Sequence, residues 1–538
     1  MDAEKLPEML DLFAEEREGV AKLRHLVVDL AVSGRLIHHT PNDAEARELA
    51  RALSAQRAAL IESKTIKSRR ADAVADDERP FTAPPHWTWL RLSQVGHELG
   101  QKEPSERFQY IDVGSIDSVR GTISSRVETL EAKDAPSRAR KIVRRGTVIY
   151  STVRPYLRNI AIVDREYRPE PIASTAFGIL YPFEGVEARF LFYWLRSSFF
   201  NEYAQDGMKG MAYPAINDAK FYSAFIALPP LAEQRRIVAK VDELMGLCDR
   251  LEEQQKERES KHAALSQAAL ARFAEDPTPA NLEYLFHQAF TIDPADLRGS
   301  ILGLACLGRA VAQDFTDEPA SQQVERMALA DPADPRSPRG NVEVAEGLAT
   351  LPDGWMYVPL ADIVSVLNGR AYKKSELLNK GTPVLRVGNL FTSKDWYYSD
   401  LDLEPEKYCE EGDLLFAWSA SFGPFIWPGP RVIYHYHIWK LEPHAESEID
   451  RGYLRLFLQH KTDEIKASGH GLAMIHMTKA RMERLPVPLP PLAEQQRIVS
   501  KVNELMAMAD QLESQLTESR TLATRLLDAA VAELTTQG

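Results

Sequence analysis

The stretch LPPLAEQRRIVAKVDELMGLCDRLEEQ, residues 228–254, recurs as LPPLAEQQRIVSKVNELMAMADQLESQ, residues 489–515. The offset is 261, and 19 of 27 positions are identical without a gap. Such agreement marks an internal duplication, and a repeat governs the whole architecture. Pro229 and Pro230 precede a segment with Glu233 in its first turn, where a carboxylate complements the helix dipole. Ile237, Val241, Leu244, Cys248 and Leu251 then recur at spacings of 4 and 3, and Ile498, Val502, Leu505, Ala509, Leu512 and Leu516 do the same. This is a heptad seam, which predicts a long helix packed along another. The first such helix, from about Leu231 to Ala271, would be roughly 60 Å long.

A weaker repeat lies upstream of each copy. Leu23, Arg24, Leu30, Ala31, Gly34 and Arg35 match Leu297, Arg298, Leu304, Ala305, Gly308 and Arg309. PPHWTWLRLSQV from Pro84 echoes PDGWMYVPLADI from Pro352. The order is therefore helix, divergent domain, helix, twice over. The reading divides the chain into an N-terminal helical scaffold (1–82), a first reader (83–228), a central helical region (229–350), a second reader (351–489) and a C-terminal helical region (490–538). Residues 278–330 should run back along the first long helix, and residues 5–72 should pair with 492–535. That pairing would bring the chain ends together in a circular, pseudo-twofold arrangement. Residues 73–86 and 330–342, rich in Pro, Asp and Ala, read as linkers.

Both readers have α+β character. β-rich runs occur at Gly146–Val153, Ala173–Pro182, Thr382–Leu390 and Arg431–Leu441, and helical stretches at Ala188–Ala204 and Arg451–Ala467. Each reader closes with a glycine-containing loop. The 538 residues carry a net charge of −13, but residues 85–227 carry +3 and residues 353–488 carry −2, so the acidity belongs to the helices. Nucleic-acid contact must then come from local patches. The candidate DNA contacts in the first reader are Arg138, Arg140, Lys141, Arg144 and Arg145 in its densest basic cluster, Arg154, Tyr156 and Arg158 after a strand, and Lys209 in the closing loop. In the second reader they are Tyr372, Lys373, Lys374, Lys394, Trp396, His470 and Lys479. These residue types read base edges and phosphates. The basic ESKTIKSRR stretch (Glu62–Arg70) reads as a solvated helix end, with DNA or a partner as the alternative. Glu233, Gln234, Glu494 and Gln495, which are repeated with the scaffold, are candidate partner contacts or helix-start residues.

Chemistry is hard to find. Cys248, Cys306 and Cys409 are scattered, without CxxC spacing. His435 and His437 alternate along a predicted strand, but nothing adjacent completes a metal site. No phosphate-binding loop, aminomethyltransferase tetrapeptide or nucleophile motif is present. No apolar run reaches bilayer length and no signal peptide is evident, so a reducing cytoplasm is expected. A DNA-binding regulator or adaptor would explain readers and helices but not a duplicated scaffold. A methyltransferase or nuclease fused to its own reader would need a cofactor motif and a catalytic domain.

The duplicated LPPLAEQ-x-RIV-x-KV-x-ELM closely resembles the conserved regions of type I restriction–modification specificity subunits. The LR…LA…GR pieces at Leu23 and Leu297 resemble the segment that precedes each variable domain in that family. FTDEPAS at Phe315–Ser321 and its degraded counterpart at Pro41–Arg47 add to it, as do ASTAFGILYP and HYHIWKLEP. The resemblance implies a non-catalytic subunit with two α+β target-recognition domains joined by long antiparallel coiled-coil helices. It implies that each domain reads half of a bipartite, asymmetric site in double-stranded DNA, with helix length setting the unread gap. Two modification subunits would bind the scaffold and methylate adenine N6 with S-adenosylmethionine. Motor–nuclease subunits using ATP and magnesium could join them. The chain itself would bind no cofactor or metal and no membrane.

Overall fold

The computed structural model describes residues 13–38 (apart from 15 and 17), 46–69, 71–206, 215–276, 281, 284–285, 292–330, 348–391, 393–419, 422–467 and 477–536. Among these, no helix is long and apolar enough to cross a membrane. The chain folds as two compact units, residues 1–258 with 520–538, and residues 259–519. The heptad segments form two 45-residue helices, Leu231–Glu275 and Leu492–Thr536. Each unit therefore contains the beginning of one long helix and the end of the other.

In the first unit Ile237, Val241 and Cys248 are buried in one core with Leu23, Val27 and Leu30 of helix Gly19–Val32 and with Leu527. In the second, Ile498, Val502, Leu505 and Ala509 share a core with Leu297 and Ile301 of helix Pro294–Cys306 and with Ala269 and Phe273. The expected pairing is thus refined. Helix Gly19–Val32 does meet the last turns of the second long helix, with Lys22 bonded to Asp528. Yet of the two long helices, the first shares more of the core with helix Gly19–Val32, and the second with Pro294–Cys306. Matching ion pairs record this: Arg24 reaches Asp249 (2.5 Å) and Glu252 (3.2 Å), and Arg298 reaches Asp510 and Glu513 (both 2.6 Å). The seam cysteine and its two relatives are free, and burial pushes the thiols of Cys248, Cys306 and Cys409 up to about 11, 12 and 12. A thiol that stays protonated is neither nucleophile nor metal ligand at neutral pH.

Both readers have one topology. In the first, one sheet orders its strands 128–130, 108–111, 171–174, 139–142, and the other 96–97, 177–182, 148–151, 160–162. In the second, the corresponding orders are 397–399, 382–385, 432–434, 408–409 and 364–368, 438–443, 414–417, 423–426. A strand pair closes each domain, Thr88–Arg91 with Phe225–Leu228 and Met356–Pro359 with Pro486–Leu489. Two stretches that read as single strands are each two strands in different sheets, joined by a corner at Thr175–Ala176 or His435–His437. A strand that changes sheets must bend, and the corner residues leave the ladder. The helix expected over Ala188–Ala204 is broken at Ser197, which is extended and whose hydroxyl accepts from Phe200 N. Ser198 is then held by Asp29 of the N-terminal helix.

The helix ends preceding the readers are also duplicated. Gly34 and Gly308 stand at φ +76° and +68°, and the next residue's N–H closes each helix onto Leu30 O or Leu304 O. This left-handed C-terminal turn favours glycine. A Cβ at either position would fall 2.5 Å from Cγ of Pro84 or Pro352, the prolines of the PPHW and PDGW echoes. Ala46 N and Ala320 N, in the degraded pair of motifs, donate alike to His86 O and Gly354 O. Gly34→Ala and Gly308→Ala should each destabilise their unit by more than about 1 kcal/mol in denaturant titrations, since both conformation and space oppose a side chain. Gly299→Ala, inside a helix with nothing near its Cβ, should instead stabilise by up to about 1 kcal/mol.

Candidate DNA interface and its anchorage

The reader is fastened to the scaffold by the residues that the repeat singled out. Gln234 and Gln495 are wholly buried, each with 0% exposure. Gln234 Oε1 accepts from Glu187 N at 2.8 Å, and Gln495 Oε1 accepts from Asp450 N at 2.8 Å. Their amide nitrogens donate to Pro229 O (2.8 Å) and Pro490 O (3.0 Å). Glu187 and Asp450 precede the helices Ala188–Arg196 and Arg451–Ala467, whose first N–H groups lack partners within the helix. A scaffold glutamine thus caps a reader helix in both copies. Glu233 (0% exposed) meets His86 Nε2 at 2.7 Å, and Glu494 (1%) accepts from Trp355 Nε1 at 2.9 Å and Gln313 Nε2 at 2.7 Å. Burial pushes the Glu494 carboxyl up, and these donors oppose that rise. The expectation that these four residues touch a partner subunit is therefore corrected: every one is enclosed and already bonded within the chain. The helix-start reading describes them better.

The outward face of the same turns is open and also repeated. Lys240 and Glu243 form an exposed pair at 2.9 Å, and Lys501 and Glu504 repeat it at 2.9 Å. Ala232 and Ala493 are exposed at equivalent positions.

The readers differ at the other end of their sheets. Thr152 N donates to Ala176 O at 2.8 Å, and Trp418 N donates to His437 O at 3.2 Å, so the two hairpin ends and the two corners correspond. In the first reader this edge holds Arg154, Pro155, Tyr156 and Arg158 beside a small corner, Ser174-Thr175-Ala176. Tyr156 is 48% exposed, and Arg154 and Arg158 have left-handed backbones at φ +48° and +51°. Side chains rarely adopt that conformation, which is characteristic of loops shaped for contact. In the second reader the corner is His435-Tyr436-His437 and the hairpin contributes Trp418. Their rings form a continuous group, with His435–Tyr436 centroids at 4.5 Å, Tyr436–His437 at 4.0 Å and Trp418–His437 at 5.1 Å. Tyr436 is 40% exposed. Burial first, then His437 and Arg386, push His435 down to about 4, so it is a neutral donor–acceptor at physiological pH. Among the described residues no group of three metal-ligating side chains occurs.

The sequence candidates divide along this edge. Arg138 is exposed and its carbonyl accepts from Thr175 N, which places it beside the corner. Arg140, part-buried, pairs with Glu103 at 3.1 Å. Lys141 is corrected: it is 2% exposed and bonded to Asp218 at 2.9 Å, an inward-facing strand position in a cluster that reads as uniformly basic. Arg144 and Arg145 lie beyond the opposite end of that strand, with Arg144 stacked 4.0 Å above the Tyr181 ring. In the second reader a bridge between Arg370 and His435 brings the 369–374 loop to the corner, with Lys373 and Lys374 exposed. Tyr372 is corrected to a packing role, since its hydroxyl is enclosed without a partner. Trp396 also packs, 6.4 Å from the core ring of Trp427, while Lys394 is exposed. Lys479 starts a short helix and pairs with Glu483 at 3.6 Å. Lys209 and His470 lie outside the described residues. Trp418, Tyr436 and Thr175 were missed as candidates; HYH at a strand interruption was the available signal.

Residues 86–259 and 352–519 match the family model for the type I restriction modification DNA specificity domain. The chain belongs to this family. It is 25% identical to the EcoAI type I restriction enzyme specificity subunit of Escherichia coli, over 95% of this chain and 94% of that one. It is 24% identical to the EcoEI specificity subunit of Escherichia coli, over 95% and 93%. A solved chain from work on assembly and conformational transition of the type I restriction–modification system aligns with a TM-score of 0.54 at 26% identity, covering 85% of this chain and 99% of that one. The protein is thus a DNA-specificity subunit of the type I restriction–modification class, a recognition component and not a catalytic one.

Two predictions separate anchorage from reading. Gln234→Ala or Gln495→Ala should cost about 1–3 kcal/mol in unfolding measurements, because each strands a buried N–H and a buried carbonyl. Tyr436→Ala should weaken binding to the cognate duplex by about 1–3 kcal/mol in a competition assay, the scale of a direct contact to a base edge, while leaving the melting temperature close to wild type. A drop in melting temperature without a binding change would make Tyr436 structural.

Proposed function

We propose that each reader recognises one half of a bipartite, asymmetric site in double-stranded DNA, and that the long helices set the unread gap between halves. The observation that carries this reading is one frame with two unlike edges. The register is the same at Thr152–Ala176 and Trp418–His437, but one edge is arginine-rich with a small corner and the other is aromatic and histidine-rich. Arginine suits guanine and phosphate, whereas neutral imidazole, indole and phenol suit base edges and methyl groups. Different chemistry on an equal frame should select different bases. The proposed DNA contacts are Arg138, Arg140, Arg154, Tyr156 and Arg158 in the first reader, with Lys209 of its closing loop. In the second they are Lys373, Lys374, Trp418, His435, Tyr436 and His437, with Lys394, His470 and Lys479. Arg144 and Arg145 would serve as peripheral phosphate contacts.

Two modification subunits would dock on the duplicated outward face, around Lys240–Glu243 and Lys501–Glu504, and methylate adenine N6 in the cytoplasm using S-adenosylmethionine. They would carry out base extrusion and chemistry on their own residues. Motor–nuclease subunits drawing on ATP and magnesium would join the same complex. Co-expression with the modification subunit, followed by mapping of N6-methyladenine, should reveal a two-part motif with a fixed gap that vanishes without this chain. Chain-independent methylation, or a one-part motif, would overturn the reading. Reversing Lys240 and Lys501 to Glu together should weaken co-purification of the modification subunit without altering the melting temperature.

A further inference from the structure

In the first unit, helix Gly19–Val32, the first long helix, helix Ala188–Arg196 and two loops of the first reader line an open cleft of about 600 Å³. Six of its lining side chains are basic: Arg24, His25, Arg120, Arg158, Arg189 and Arg196. The lining carboxylates, Asp242 and Asp249, are already committed. Asp249 and nearby Glu252 hold Arg24, and Asp242 holds Arg189 at 2.8 Å and accepts from the Tyr193 hydroxyl. Among the described residues Arg196 donates to the carbonyls of Ser118 (3.0 Å) and Val119 (2.8 Å) and forms no ion pair, with the Asp117 carboxylate acting on it from nearby. Asp29, buried nearby, already accepts from Ser198 N (2.8 Å) and Oγ (2.7 Å). The guanidinium groups of Arg120 and Arg158 have no hydrogen-bond or ion-pair partner among the described residues.

The surplus positive charge registers on the neighbours. Burial first, then Arg158 and Arg196, push His25 down to about 4. Burial first, then Arg158, push Arg196 down to about 10. Part of this lining is not repeated in the second unit. The matched capping bonds at Glu187 and Asp450 place Gly452 and Gln459 where Arg189 and Arg196 stand, and the upstream repeat places Gly299 where His25 stands.

We propose that this cleft is a binding site for a phosphate-type oxyanion, gripped by Arg158 and Arg120, with Arg196 and His25 lining the same cleft. A guanidinium presents paired N–H donors that match phosphate oxygens, and each such bond is charge-assisted. The volume is within the range of small-ligand sites and would take a nucleotide-sized anion. Two sources share this chemistry, a free phosphorylated small molecule and a backbone phosphate of bound duplex. Because Arg158 shares a loop with Arg154 and Tyr156, an anion held here would also steady the reading edge. The duplex source rests on the DNA reading proposed above; the free-ligand source does not.

The test uses the full chain with Arg158→Gln and, as an independent rim variant, Arg120→Gln. Melting temperature serves as the check of folding. Titration calorimetry with inorganic pyrophosphate and with ATP, without divalent metal, reports the free source. One site per chain, weakened about tenfold or more by either substitution, is the expected result for it. Fluorescence anisotropy with cognate and random duplexes across a salt series reports the duplex source. Its signature is a salt slope reduced by about one in the variants, with equal loss on both duplexes. If folded variants match wild type in both experiments, or wild type shows neither pyrophosphate binding nor a slope contribution from these arginines, the proposal is overturned. Failure of wild type to prefer the cognate duplex would instead count against the DNA reading, and leaves the calorimetric arm decisive for the cleft.

Discussion

A buried amide fastens each reader to its long helix. Gln234 and Gln495 cap a reader helix with Oε1 and hold the turn after the closing strand with Nε2. The geometry has two consequences. It fixes the direction in which a recognition domain leaves the scaffold, because a capped helix start is joined to a rigid proline turn. It also makes the orientation costly to change, because a displaced glutamine would leave four polar groups buried without partners. The proposed role of the long helices in setting the gap between half-sites would require such stiffness.

The same bonds give a physical account of the repeated motif. A segment that caps, turns and packs at once tolerates few replacements, so both copies keep Pro-Pro-Leu-Ala-Glu-Gln although the domains they carry have diverged. Glu233 and Glu494 show where latitude remains. One carboxylate takes a histidine of the first reader as partner, and the other takes an indole N–H and an amide. What must be preserved is an acceptor with buried donors, not a particular donor.

The edges proposed to read DNA obey the opposite rule. They lie at a sheet-to-sheet corner and a neighbouring hairpin end, where side chains project from the frame and little core packing constrains them. Arg154 and Tyr156 on one edge and Tyr436 on the other can therefore differ without disturbing either sandwich, whereas Trp418 also stacks on the core ring of Trp439. The cleft beside Arg158 departs from the duplication, since three of its lining residues, His25, Arg189 and Arg196, have glycine or glutamine counterparts in the second unit. Symmetric scaffold and asymmetric surfaces coexist because the first is decided by packing and the second by exposure.

The duplication, both long helices, their seam residues, the α+β character of the readers and the absence of catalytic motifs were all legible in the amino-acid sequence. Each rests on periodicity or identity over many residues, which no single contact can override. The partners of the short helices, the corner that divides one apparent strand between two sheets, and the break at Ser197 were decided by tertiary structure. So were the inward turn of Lys141 and the enclosure of Tyr372. A basic cluster looks the same in a sequence whether its side chains meet solvent or a buried aspartate. Likewise, a repeated Glu-Gln pair can mark an outer surface or an inner bond. Only the packing of distant segments, Asp218 against Lys141 and Asp450 against Gln495, separates those cases, because burial depends on what the fold brings to the other side.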